Sequence, residues 1–296
     1  GNSTVAEQDE TEGSSVSWRW DQGRIEYLRF DNLKKCAAVL VSLDGAAVND
    51  GDPLRKPLTD ELGLPFAPSD YRVWRNYGRV FKLAMLATTV GDKLVTTELC
   101  KQLADPSLAL TVDEYLSYVV PRFYYPSPAF QGYAKTGPQQ FPFSSILKLL
   151  LARAASGSAA KVSLDEIFQL LVGNSVAGTE SIEEISTLSA SGYKPKGDEE
   201  RQLRELVIFL SQFDFLKWQR PDLLLDIDPE DDGAMSQISS LAEPIVSPRS
   251  ADPAQEILTL GGSKPTDVKP VEAANRIYNE DAVFTEGKKV RVTHLR

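Results

Sequence analysis

The chain has one histidine and two cysteines in 296 residues, and these scarcities narrow the chemistry open to it. With His294 as the sole imidazole, neither a histidine general base inside the chain nor a zinc site that needs histidine is expected. Cys36 and Cys100 sit in apolar helical patterns with no second cysteine or histidine at ligand spacing, so they read as buried reduced thiols, which fits a cytoplasmic protein. No apolar run approaches the roughly 20 residues that span a bilayer. A basic region leading into a short apolar stretch is missing as well, so neither a membrane nor secretion is expected. Glycine-rich phosphate loops of the dinucleotide or Walker type are missing, and so is a G-x-S-x-G elbow. No catalytic residue, metal or other cofactor is therefore expected within the chain.

What is present is uneven in charge. The net charge is −10, but residues 1–16 carry four acids and no base, and residues 226–296 carry thirteen acids against eight bases, which leaves 17–225 at −1. A near-neutral body can present a basic face, although the strongly basic composition common among nucleic-acid binders is missing.

The most organised stretch is Asp198 to Asp228. Leu203, Leu206, Val207 and Leu210 fall at helical spacing behind the acids Asp198, Glu199 and Glu200, which suit a helix start. Beyond them the period changes to two: Phe213 and Phe215, a turn at Gln219-Arg220-Pro221-Asp222, then Leu223, Leu225 and Ile227. A helix running directly into a hairpin is how a winged helix-turn-helix module ends. Upstream, the helix over ILKLLLARAA from Ser144 or Ser145 and the capping box Ser163-Leu-Asp-Glu166 supply two further helices, with an insertion over 174–197. An earlier stretch gives the same order: a helix over YRVWRNYGRVFKLAMLAT, a turn at Gly91-Asp92, a short helix after Thr96 or Thr97, and a third helix opened by the capping box Thr111-Val-Asp-Glu114.

The expected fold is therefore mainly α with short β hairpins, arranged as tandem winged-helix-like units. The organisation reads as a disordered lead (1–16), an aromatic helical segment packing on the first unit (17–70), the first unit (71–130), a linker (131–143), the second unit (144–228), a flexible linker (229–272) and the start of a further module (273–296). Trp18, Trp20, Tyr27 and Phe30 read as core anchors, Asp31 as a helix cap and Asp44-Gly45 as a stop.

The last stretch, with Glu286-Gly287-Lys288, Val290 to Val292 and His294-Leu295-Arg296, resembles the lead-in to the nuclease module of HNH-family endonucleases of the bacterial restriction type. RVWRNYGRVFKLAMLA and RQLRELVIFLSQFDFLKW are similar in pattern to the DNA-reading N-terminal regions of such enzymes. The resemblance implies the target-reading part of a restriction or antiphage endonuclease, with a divalent metal only in a nuclease module past Arg296. No catalytic residue can be carried over, because the matching positions are not in this chain.

Candidate contacts to double-stranded DNA, modified duplexes included, are exposed cations beside amide or aromatic side chains. In the first unit these are Arg75, Asn76, Arg79, Arg122, Tyr124 and Tyr125. In the second they are Lys196, Arg201, Gln202 and Arg204 at the helix start, with Lys217 and Arg220 on the wing. Phe123, Tyr124, Tyr125, Phe130 and Tyr133 could line a pocket for an extruded base, core packing being the alternative. A homodimer is left open. Two other functions are weighed: a winged-helix scaffold for protein partners, and a Mg²⁺ nuclease at Asp281, Glu286 and Lys288. The acids from Asp226 to Asp232 read as a solvated run rather than a calcium loop, since Pro229 interrupts them.

Overall fold

The computed structural model describes residues 17–21, 23–63 and 72–263. The expected acidic lead, the expected start of a nuclease module, and the group Asp281, Glu286, Lys288 and His294 lie outside the described residues.

Leu33, Cys36, Ala37 and Leu40 recur every three or four positions, so helix α1 (Phe30–Ser42) buries one side. Asp31 sits in its first turn, where an acid complements the helix dipole, and does not cap it. The chain turns at Asp44-Gly45. Gly45 takes φ +85°, a conformation that favours glycine, and Asp44 Oδ1 accepts the Thr96 N–H at 2.8 Å. Ala47 then bridges antiparallel to Lys93. Helices α2 (Arg55–Leu62) and α3 (Val73–Leu83) follow, and a hairpin of β1 (Ala87–Val90) and β2 (Lys93–Thr96) closes around Gly91-Asp92.

Two connecting helices come next, α4 (Glu98–Ala104) and α5 (Val112–Val119). Thr97 and Thr111 cap them by accepting the N–H of Cys100 and Glu114. Then the first order of elements returns. Helix α6 (Pro142–Ala155), strand β3 (Lys161–Ser163) and helix α7 (Leu164–Glu166), which runs on as a π-helical turn Ile167–Val172, lead into an insertion carrying α8 (Ile182–Ser186). Helix α9 (Glu199–Leu210) and the hairpin β4 (Leu216–Gln219) and β5 (Asp222–Leu225) complete the set. Ser163 and Glu166 form the full capping box expected for α7.

The molecule is mainly helical with two small sheets. Residues 30–96 and 142–225 share one plan: helix, strand or bridge, helix, helix, hairpin, with the last strand central. In the second unit the strand order is β3-β5-β4; in the first, β2 lies between β1 and Ala47. The first unit is therefore displaced from the expected 71–130. Helix α3, not α5, stands where α9 stands. The expected helix through Thr88 ends at Leu83, because Thr88, Thr89 and Val90 are β-branched and join a strand. Consecutive apolar residues from Leu83 to Leu86 hide that change of period.

Two expected linkers also differ. Within 131–143, Gln140 pairs with Tyr125 through N–H···O bonds of 2.8 and 3.0 Å, and α6 starts at Pro142 with Phe141 and Phe143 buried. The segment 229–263, expected to be flexible, is a strap. Asp231 caps α10 (Asp232–Ala242), which packs on α6 through Ile238, Leu241 and Ala242. Asp252 caps α11 (Pro253–Leu260), which packs on β1. Tyr118 O–H donates to the Leu260 carbonyl at 2.8 Å and Leu99 N–H to that of Gly261 at 2.9 Å, tying the strap to the connecting helices α5 and α4. Its acids cap helices and its few apolar residues are placed to bury, so low mean hydropathy misleads there. Lys148, fully buried on α6, donates to the carbonyls of Gly178 (2.8 Å) and Glu180 (2.6 Å) and meets the Glu243 carboxylate, tying α6 to the insertion and the strap.

Candidate nucleic-acid interface

Residues 18–21 and 23–28 lie between α3 and α9, the third helices of the two units. The buried Trp20 ring meets Phe123, Phe143 and Phe209 with centroids 5.6, 6.0 and 5.2 Å away. Tyr27 packs on Tyr77 of α3 at 4.9 Å. Trp18 Nε1 donates to Gln140 Oε1 at 2.8 Å. Helix α9 grips the same segment through side chains on one face. Gln202 Oε1 accepts the Trp20 N–H at 3.4 Å and the Glu205 carboxylate accepts the Gly23 N–H at 2.8 and 3.0 Å; just past the helix, Gln212 Oε1 accepts the N–H of Phe30, the first residue of α1, at 2.8 Å. The aromatic segment thus packs on both units rather than on the first alone.

Around this segment the arginines gather. Asp21 is wholly buried, and its Oδ1 accepts from Arg24 at 2.7 Å and from Arg79 of α3 at 3.1 Å. The guanidinium carbons of Arg19 and Arg79 lie 5.4 and 5.5 Å from the centre of the Phe130 ring, and that of Arg24 lies 4.9 Å from the Tyr77 ring, positions a cation favours over an aromatic face. Arg201 of α9 lies against Gly23, where a Cβ would stand 3.1 Å from its Nη2. Burial, with the Arg79 charge second, lowers the Lys82 pKa from its ordinary value. Arg75 is exposed and Asn76 half-buried, one helical turn before Arg79; Arg204 is half-buried one turn after Arg201. Neither Arg75 nor Arg204 takes part in an ion pair among the described residues. The carboxylates that pair with Arg24, Arg79 and Arg201, those of Asp21 and Glu205, are buried, while Glu26 and Glu200 nearby in the chain are exposed. Arg79 of the first unit, Arg201 of the second and Arg19 and Arg24 of the segment between them thus lie close together. Such a surface suits the phosphates of a nucleic acid.

Of the residues expected to touch DNA, Arg79 and Arg201 are brought together, with Arg75, Asn76 and Arg204 on the same two helices. Lys196 is exposed just before α9, and Arg220 is exposed at the tip of the β4–β5 hairpin. Lys217 is held by Asp226 at 2.9 Å. Arg122 stacks 3.8 Å from the Tyr118 ring and donates to the Tyr118 carbonyl at 2.9 Å, and burial lowers its pKa. Tyr124 and Tyr125 must be corrected: both are buried, at 3% and 1% exposure. Their segment closes the core through the Gln140 bridge, and the Tyr125 hydroxyl donates to the Arg19 carbonyl. Gln202 is likewise committed, its amide oxygen serving the Trp20 N–H.

Three residues of this site escaped sequence reasoning: Arg19, Asp21 and Arg24. Their signal is the alternation Trp18-Arg19-Trp20-Asp21, whose aromatics drew attention away from its charges. Among the described residues no group of three or more histidine, cysteine, aspartate or glutamate side chains could hold a metal ion, and no helix is long and apolar enough to cross a membrane.

No protein-family model matches the chain, and no curated protein matches it. Among solved structures the chain is similar to that of pyrene- and phenanthrene-modified DNA in complex with the BpuJ1 endonuclease binding domain. The TM-score is 0.61 at 12% identity, over 84% of this chain and 97% of that one. At that identity the likeness is one of fold.

Proposed function

We propose that this chain recognises duplex DNA through two winged-helix units, residues 30–96 and 142–225, whose third helices α3 and α9 face the duplex. The observation that carries this reading is the gathering of Arg79, Arg19, Arg24 and Arg201, from two units and the segment between them, with Arg75 and Arg204 on the same two helices. The shared element order supports it, since a winged helix presents its third helix to a groove and its hairpin to the flanking backbone. The similarity in fold to an endonuclease binding domain seen with modified DNA supports it further. In this reading the Arg side chains position the duplex on its phosphates. The exposed Lys196 would reach a flanking phosphate, and the exposed Arg220 would extend the contact as a wing. The parent protein would deliver an HNH nuclease through residues past Arg296.

The test is retardation of a random-sequence duplex at about 50 and about 200 mM salt. Binding at the lower concentration that falls steeply at the higher is expected, because each phosphate contact contributes about 0.9 to the slope of log K against log salt. No retardation of any duplex at the lower concentration would leave a protein-docking scaffold as the better account.

A further inference from the structure

The carboxylate of Asp21 lies at the centre of this surface, and its setting points to regulation of the DNA-binding site proposed above, on which this inference rests. Its side chain is 0% exposed, while Arg24 and Arg79, which share its Oδ1, keep side-chain exposures of 26% and 43%. Oδ2 has no partner. Arg24 comes from the segment and Arg79 from α3, so one oxygen sets two guanidinium groups from different parts of the chain side by side. The same carboxylate cancels about one of their two charges. A phosphate resting on the outer side of either group would lie roughly 6 Å from Asp21, where two unit charges in an effective dielectric of about 20 repel strongly.

We propose that Asp21 is a positioning residue that also acts as an electrostatic brake: it aligns Arg24 and Arg79 toward the DNA backbone and lowers their affinity for any phosphate. Sequence-independent binding is held down, so contacts to base edges weigh more in choosing a site. A merely structural ion pair would hold the segment on α3 and leave the salt dependence of DNA binding untouched.

The experiment measures binding of a random-sequence duplex by the full chain across a salt series, with thermal unfolding followed in parallel. Asp21→Asn keeps an acceptor at Oδ1 and removes the charge. It is expected to bind about tenfold more tightly, with a salt slope steeper by about one contact. Unchanged or weaker binding by a folded Asp21→Asn protein overturns the brake. Should that variant not fold, the triple variant Asp21→Asn, Arg24→Gln, Arg79→Gln leaves no unpaired carboxylate. With the brake it loses about one contact from the slope, because the group's net charge is +1; a loss of two overturns it. The double variant Arg75→Gln, Arg204→Gln is the reference and should lose about two. If the wild type binds no duplex at low salt, the DNA reading itself fails; if it binds and the Asp21 variants behave as a structural pair would, only the brake does.

Discussion

The two units follow one plan with different materials. In the first, α3 carries Arg75 and Arg79, with Arg72 just before it, and no acid, and the strand opposite β2 is a single bridge at Ala47. In the second, α9 interleaves Arg201 and Arg204 with Glu199, Glu200 and Glu205, and β3 is a true third strand. The contrast suggests a division of labour. The first unit offers less compensated charge, suited to phosphates, while the second spends part of its polar face on holding the segment that joins the units.

Removal of that joining segment's anchor should have the largest effect on the comparison. Trp20→Ala empties a site ringed by Phe123, Phe143 and Phe209, and losses of about 3–5 kcal/mol are usual for such truncations. Because Trp20 anchors on the second unit the segment whose Asp21 and Tyr27 meet α3, calorimetry should show one transition moved to lower temperature. Two separated transitions would mean the units fold alone. Lys148→Met comes next: it leaves the carbonyls of Gly178 and Glu180 without their donor, at a cost of about 1–3 kcal/mol. That loss should appear in denaturant unfolding, with protection of the 174–181 backbone from hydrogen exchange weakened first.

Charge removal tests the division of labour directly. Arg75→Gln with Arg79→Gln should weaken binding to a random duplex by about tenfold or more and cut the salt slope by more than Arg201→Gln with Arg204→Gln does. Equal effects would erase the distinction drawn between α3 and α9.

The smallest effect concerns a contact between α5 and the turn before β4. Asp113 Oδ1 accepts the Asp214 N–H at 3.0 Å. Burial, with the nearby Asp214 charge adding to it, raises the Asp113 pKa to about 6, although the Asp214 N–H pulls the other way. A carboxyl group raised in the folded state binds its proton more tightly there than in the unfolded chain. Its contribution to stability is therefore present below about pH 4 and lost as pH rises through about 6. Asp113→Asn keeps the acceptor, so melting temperatures measured from pH 4 to 7 should lose this part of their pH dependence. An unchanged profile would remove Asp113 as its source.

Much of the fold was legible because its helices are amphipathic and capped by nearby residues. The α9-to-hairpin junction, the Ser163 capping box and the turn at Gly91-Asp92 rest on chemistry within a few residues of themselves. The grouping of elements was not legible, since it depends on pairings such as Ala47 with Lys93 and Lys161 with Leu224 that join distant residues. Hence the first unit was expected too late in the chain, with α5 in the place of α3. The strap was hidden for a related reason: three apolar residues on α10 bury fully only because α6 offers them a surface. At the site, charge at helical spacing pointed to Arg75, Arg79, Arg201 and Arg204. That Tyr124 and Tyr125 face inward follows from the Gln140 bridge, which composition cannot reveal. Asp21 is the hardest case, since a lone acid among aromatics gives no sign that it will be buried under two arginines.

The central claim is that both third helices and the segment between them form one DNA-facing surface. Hydrogen–deuterium exchange of the full chain with and without a duplex at low salt tests it most directly. Protection on adding DNA is predicted for the outer positions of α3 and α9 and for residues 19–24 together, with α10 and α11 unchanged. Protection confined to one unit, or centred on the strap, would contradict it.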